Sequence, residues 1–147
     1  IDMVHVPYKG AGPALVDLVA GQISLLLNNP LSSLPYVKSG RVRAIAVTSS
    51  QRMPAAPDIP TVDESGIPGF VATIWLGLLA PARTAPEIVM KIHGDVVKIV
   101  RNKDTVEWFI GQGMEPVGST PEQFLERIKA DTAKWAKIIK ISGARIE

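Results

Sequence analysis

The chain has no cysteine, two histidines and few aromatic residues, and its charges nearly cancel. Without cysteine there is no disulfide framework, thiolate nucleophile or cysteine-based metal site. The lack of thiols is compatible with an oxidising compartment and equally with the cytosol. His5 and His93 share no HxxxH or HExxH spacing, so no metal centre is expected. Sixteen Lys and Arg against fourteen Asp and Glu leave a net charge of +2, too little to hold a polyanion by counterion release. The basic residues of the C-terminal helices, among them Lys91, Lys98, Lys129, Lys134 and Lys137, are spaced as solvent faces with few aromatics between them. Nucleic acid is therefore disfavoured as a partner. No apolar run nears the roughly 20 residues that span a bilayer, and the stretch from Ile74 to Pro81 is broken by Gly77. The opening Ile1-Asp2 lacks an initiating Met, a charged n-region and an apolar h-region. It reads as a piece of a longer or processed protein.

Hydrophobic residues, by contrast, are plentiful at 46%, with 20% charged, enough for one ordinary domain or two small lobes. The first half alternates strand and helix. Met3 to Val6 reads as a strand stopped by Pro7, followed by a glycine-rich loop. Pro13 suits the first turn of a helix that carries Leu15, Val16, Leu18 and Val19 and ends near Gly21. Ile23 to Leu27 reads as a buried strand, Leu34 to Lys38 as a short helix capped by Ser32 or Ser33, and Val42 to Val47 as a third strand. Apolar strands that run continuously in a βαβαβ order predict a parallel sheet covered on both faces.

A Pro-rich connector (Met53 to Pro60) leads to a short acidic helix near Val62 to Ser65, then to a long strand over Ala72 to Pro81. Helices follow. One opens at Pro86, with Ile88, Ile92, Val96 and Ile99 on a common stripe. A second spans Asp104 to Ile110. A third begins at Thr120-Pro121-Glu122-Gln123, a near capping box, and carries Phe124, Ile128, Trp135 and Ile139 to a stop at Gly143. Met114 to Val117 is a candidate short strand. These helices need a sheet for their apolar stripes, and few strands are available to supply one. Splayed helices, a domain swap or packing on a neighbouring molecule are expected.

The segment Val6-Pro7-Tyr8-Lys9-Gly10-Ala11-Gly12-Pro13-Ala14 runs from a strand through two glycines into a helix start. Glycine lets a ligand approach the backbone, and a helix N-terminus offers unpaired N–H groups with partial positive charge. Lys9 adds a full charge. Two readings stand side by side, an anion cradle and a plain strand-to-helix turn. The dinucleotide fingerprint is excluded by Leu15 at its third glycine position, and a P-loop by the absence of Gly-Lys-Ser/Thr. Asn28 and Asn29 end the next strand, where their amides could face a ligand or satisfy their own loop, the latter being favoured. Thr48, Ser49 and Ser50 offer hydroxyls or a helix cap. Trp75 is a cleft wall or core. Asp63-Glu64 is a solvated face, and Tyr8 is packing. Catalysis finds no titratable pair beyond Lys9 and Tyr8 and no Gly-x-Ser-x-Gly elbow.

The same segment, followed by Asp17-Leu18-Val19-Ala20-Gly21-Gln22, resembles the periplasmic solute-binding proteins of tripartite tricarboxylate transporters, the Bug family. The resemblance continues through Ser32-Ser33-Leu34-Pro35, Arg43-Ala44-Ile45-Ala46-Val47-Thr48-Ser49, Pro57-Asp58-Ile59-Pro60-Thr61-Val62, Gly77-Leu78-Leu79-Ala80-Pro81, Glu115-Pro116-Val117-Gly118 and Lys134-Trp135-Ala136-Lys137. It corresponds to the C-terminal half of such a protein. It implies an α/β fold: a periplasmic-binding-protein type II-like lobe with a parallel-rich sheet and flanking helices, plus C-terminal helices belonging to the other lobe. Residues 1–75 would form the ligand-binding lobe, and residues 76–147 the crossover strand and the helices returning to an incomplete first lobe. The implied function is a periplasmic receptor, not an enzyme, that closes on small carboxylates and feeds membrane permease subunits, with no cofactor. By position, the carboxylate would be held by Lys9, Gly10, Ala11, Gly12, Pro13, Ala14 and Asn28. The rival readings are an anion-sensing domain of a regulator and, last, a small-acid enzyme. Self-association or a domain swap is a further expectation.

Overall fold

The computed structural model describes residues 3–143. The expected opening of the first strand at Ile1-Asp2 lies outside the described residues, as does the chain beyond Gly143. Five helices are present among the described residues: α1 (Ala11–Val19), α2 (Pro30–Lys38), α3 (Pro86–Val100), α4 (Lys103–Gly111) and α5 (Pro121–Ser142).

Their ends follow from local chemistry. Helix α1 begins two residues before Pro13, with Gly10 as N-cap. Helix α2 is capped by Asn29 rather than by Ser32 or Ser33: the Asn29 side chain accepts from the Ser32 N–H, and Pro30 fills the first helical position. An N-cap must precede the helix by one residue, and Pro30 with its fixed φ already belongs to it. Helix α5 opens on the expected capping box, with Gln123 N–H donating to the Thr120 hydroxyl at 3.2 Å and Thr120 N–H donating to Gln123 Oε1 at 3.0 Å. It ends at Gly143, which is left-handed. The expected acidic helix at Val62 to Ser65 is instead a series of turns. There the Glu64 carboxylate accepts from the Thr61 N–H at 2.7 Å and from Arg52 at 2.9 Å.

The parallel sheet is not formed. Among the described residues there is no strand, only one isolated parallel bridge between Val47 and Thr61. Val47 N–H donates to Pro60, Val62 N–H donates to Val47, and Ala72 N–H donates to Thr48. The segments expected as strands leave apolar side chains on the surface, with Val4, Leu27, Ile74 and Leu76 all more than three-quarters exposed. His5, expected in a buried strand, is exposed as well. A strand exists only through a partner that takes its backbone hydrogen bonds, and residues 23–27 and 43–46 make no backbone–backbone hydrogen bond among the described residues.

The chain divides into two units. One takes in the chain up to Gly77 together with Val106–Glu115. Its core lies where α1 meets α2, with Ala14, Leu15 and Leu34 buried. Gly113 closes this core, because a Cβ there would stand 2.8 Å from Pro30 Cβ, 3.1 Å from Leu34 Cδ1 and against Met53. The other unit takes in Leu78–Thr105 and the described chain from Pro116 on. In it the segment before α5 lies on α3: Gly118 sits beside Val97, Val100 and Arg101, and the His93 ring is 3.2 Å from the Ser119 carbonyl. Neither α3 nor α5 buries a residue.

Candidate functional site

The glycine-rich loop and the start of α1 form a helix N-terminus with no side-chain cap in the first unit. Gly10 has φ +120° and ψ 170°, a region essentially closed to residues with a Cβ. That turn sends the chain directly into α1. The first N–H groups of a helix have no intrahelical acceptor, so Gly10, Ala11 and Gly12 present donors here, while Pro13 has none to give. No side chain caps this end, and the first turn carries no acidic residue to neutralise it. A Cβ at Gly10 or Gly12 would meet nothing within 4 Å, so both glycines are uncrowded on that side. Lys9 is exposed, Pro13 is exposed at the rim and Ala14 is buried against the core. The helix dipole and Lys9 both favour an anion at this position.

Tyr8 is not simply packing. Its hydroxyl donates to Asp17 Oδ2 at 2.7 Å and ties the loop to the middle of α1. This bond, then burial, then the charge of Asp17 raise the Tyr8 pKa. Asp17, seven residues into the helix, was absent from the sequence-based candidates. No motif links two residues nine apart across a glycine turn.

Asn28 lies before α2, in the same unit as the glycine loop. Its amide nitrogen donates to Ser32 Oγ at 3.0 Å and Ser33 Oγ at 2.9 Å. Asn29 receives both the N–H and the hydroxyl of Ser32. The two asparagines and two serines thus form one cluster at the start of α2, in which the carbonyl oxygen of the Asn28 amide takes no part. Ser49 donates to the Gln51 carbonyl in its own turn. Trp75 is 41% exposed, not core.

A separate shallow groove of about 270 Å³ is lined by Val16, Val19, Ala20, Tyr36 and Arg41. The Arg41 guanidinium stands 5.2 Å over the Tyr36 ring. None of the cradle residues lines it. Among the described residues no cluster of His, Asp or Glu could hold a metal ion, and no helix is long and apolar enough to cross a membrane.

A family profile described as "Tripartite tricarboxylate transporter family receptor" matches residues 1–144. The protein BugT of Bordetella pertussis is 37% identical over 142 residues, covering 97% of this chain and 44% of BugT. The solved structure of R. palustris Rpa4515 with adipate is similar at TM-score 0.88 and 33% identity, over 94% of this chain and 46% of that one. The periplasmic binding protein BugD is similar at TM-score 0.89 and 32% identity, over 100% of this chain and 50% of that one. The chain thus spans about half the length of these relatives or less.

Proposed function

The chain belongs to the tripartite tricarboxylate transporter receptor family, and from that premise we propose that it is part of a periplasmic receptor that captures small carboxylates for membrane permease subunits. Residues 1–75 are its ligand-binding lobe, and residues 76–147 carry the chain across to the helices of the other lobe. The lobes close on the ligand by a hinge. The family is one of receptors rather than enzymes, and the receptor works by binding alone, without a cofactor.

The observation that carries this reading is the uncapped, open start of α1 behind Gly10. One carboxylate oxygen would accept from the N–H groups of Gly10, Ala11 and Gly12, with Lys9 neutralising the charge. Pro13 fixes the helical turn and adds no competing donor, and Ala14 anchors that turn in the core. The Asn28 carbonyl oxygen takes a ligand hydroxyl or a bridging water while the Asn28 amide nitrogen stays with the serines. The relative solved with adipate supports a carboxylic acid as the ligand class.

Calorimetric titration of the receptor with adipate, malate and citrate tests the reading. At least one acid should bind, and Gly12→Asp should weaken it by roughly 10-fold or more, because a carboxylate at the second helical position satisfies the amides and repels the ligand. No binding of any acid, or full binding by the Gly12→Asp protein, would refute the cradle.

A further inference from the structure

Tyr8 stands two residues before Gly10, and Asp17 is the seventh residue of α1, about 9 Å along the helix axis from the first. The Tyr8 hydroxyl nevertheless donates to Asp17 Oδ2 at 2.7 Å, with both side chains half-buried. The loop leg before Gly10 therefore folds back along the helix. The bond closes a ring from Tyr8 to Asp17 that contains the whole glycine loop, Lys9 to Ala14. Among the described residues it is the one side-chain hydrogen bond made within that ring.

The ring has little else to hold its middle. On the helix side Ala14 and Leu15 are buried and fix α1 in the core. Gly10, Ala11 and Gly12 carry no side chain beyond a methyl group, and no side chain caps the helix start. Glycine loses more backbone freedom on ordering than any other residue. Ordering these amides only when a ligand arrives would therefore subtract from its affinity, and a tie already present in the free protein avoids that loss. The Tyr8 hydroxyl proton is committed to Asp17 rather than offered to a ligand. That bond first, then burial and the Asp17 charge, raises the Tyr8 pKa and keeps the donor protonated at neutral pH. Asp17 is also the one acidic residue of α1, and the bond occupies its carboxylate.

Resting on the carboxylate reading of the glycine loop, we propose that Tyr8 is a positioning residue of that site. Through its hydrogen bond to Asp17 it holds the Gly10, Ala11 and Gly12 amides in their anion-receiving arrangement before the anion arrives, and it touches no ligand itself.

Nitrogen relaxation of the free receptor and calorimetry with adipate, malate and citrate test this together. The amides of Gly10, Ala11 and Gly12 should have order parameters of about 0.85 in the wild type and about 0.6 or below in Tyr8→Phe. Tyr8→Phe should weaken the best-bound acid by roughly 3- to 10-fold, the worth of one hydrogen bond. Asp17→Ala should do the same, and the double variant should bind no more weakly than either single one, since both remove one shared bond. Asp17→Asn, whose amide oxygen still accepts from Tyr8, should bind more tightly than Asp17→Ala. Binding that Gly12→Asp weakens and Tyr8→Phe leaves unchanged would overturn the positioning role while the carboxylate reading stands. A lower melting temperature of Tyr8→Phe would then mark the bond as structural only. Failure of all three acids to bind would overturn the carboxylate reading, and the positioning role with it.

Discussion

Tyr8 and Asp17 are nine residues apart in the chain and 2.7 Å apart in space because Gly10 turns the backbone between them. The bond gives Tyr8 a folded-state pKa above its unfolded value. A group with a raised pKa is protonated more tightly in the folded state, so its contribution is complete below the unfolded pKa, near 10, and is lost as pH rises through the higher folded value. Thermal melts above pH 10 should therefore show a loss of stability that Tyr8→Phe flattens. An unchanged alkaline profile in the phenylalanine variant would exclude the bond. Glu64 runs the other way. Its backbone bond from Thr61 comes first and Arg52 second, and together they lower its pKa. Its contribution is present above the unfolded pKa and fades as pH falls through the lower folded one. Glu64→Gln should remove that acid-side dependence, whereas Arg52→Ala should change stability little, since the pair is solvent-exposed. Sequence pattern revealed neither arrangement, because each joins side chains through a turn whose shape depends on backbone angles rather than on periodicity.

Helices were the legible elements. The Thr120 capping box, the prolines at the starts of α3 and α5 and the glycine end of α5 are chemical signals confined to a few neighbouring residues, and such signals do not depend on the rest of the molecule. The cap is also testable: Thr120→Ala removes the hydroxyl that accepts from the Gln123 N–H and should cost about 0.5–2 kcal/mol, read as a lower melting temperature with α5 fraying first in amide exchange. Strands were legible only as apolar runs. Whether such a run becomes a strand depends on a neighbour's backbone, and a continuous stretch such as residues 74–81 describes the environment it needs without supplying it. The glycine loop falls between these cases. Gly10 and Gly12 marked a turn with open amides, and the turn is there, but a pattern of two glycines leaves open whether those amides face solvent or the chain itself. The role of Gly113 emerges only from its neighbours Met53, Pro30 and Leu34, distant in sequence. Gly113→Ala forces a Cβ into that contact at φ +74° and should destabilise the first unit by about 1–3 kcal/mol, while leaving the capping signature of α5 unchanged.

For the molecule as a whole, the decisive quantity is how little surface folding removes. An unfolded chain of 15.8 kDa exposes roughly 22,900 Å². Folding to 11,716 Å² thus hides about 11,200 Å², against about 15,600 Å² for an ordinary domain of this mass. The urea dependence of unfolding scales with the area exposed. The 147-residue chain should therefore show a slope about 0.7 of that expected for its length. The helical signal and the fluorescence of Trp75 are suitable probes, since the tryptophan lies beside the bare residues Ile74 and Leu76. A slope at the value expected for its length would mean that its apolar segments are covered in solution.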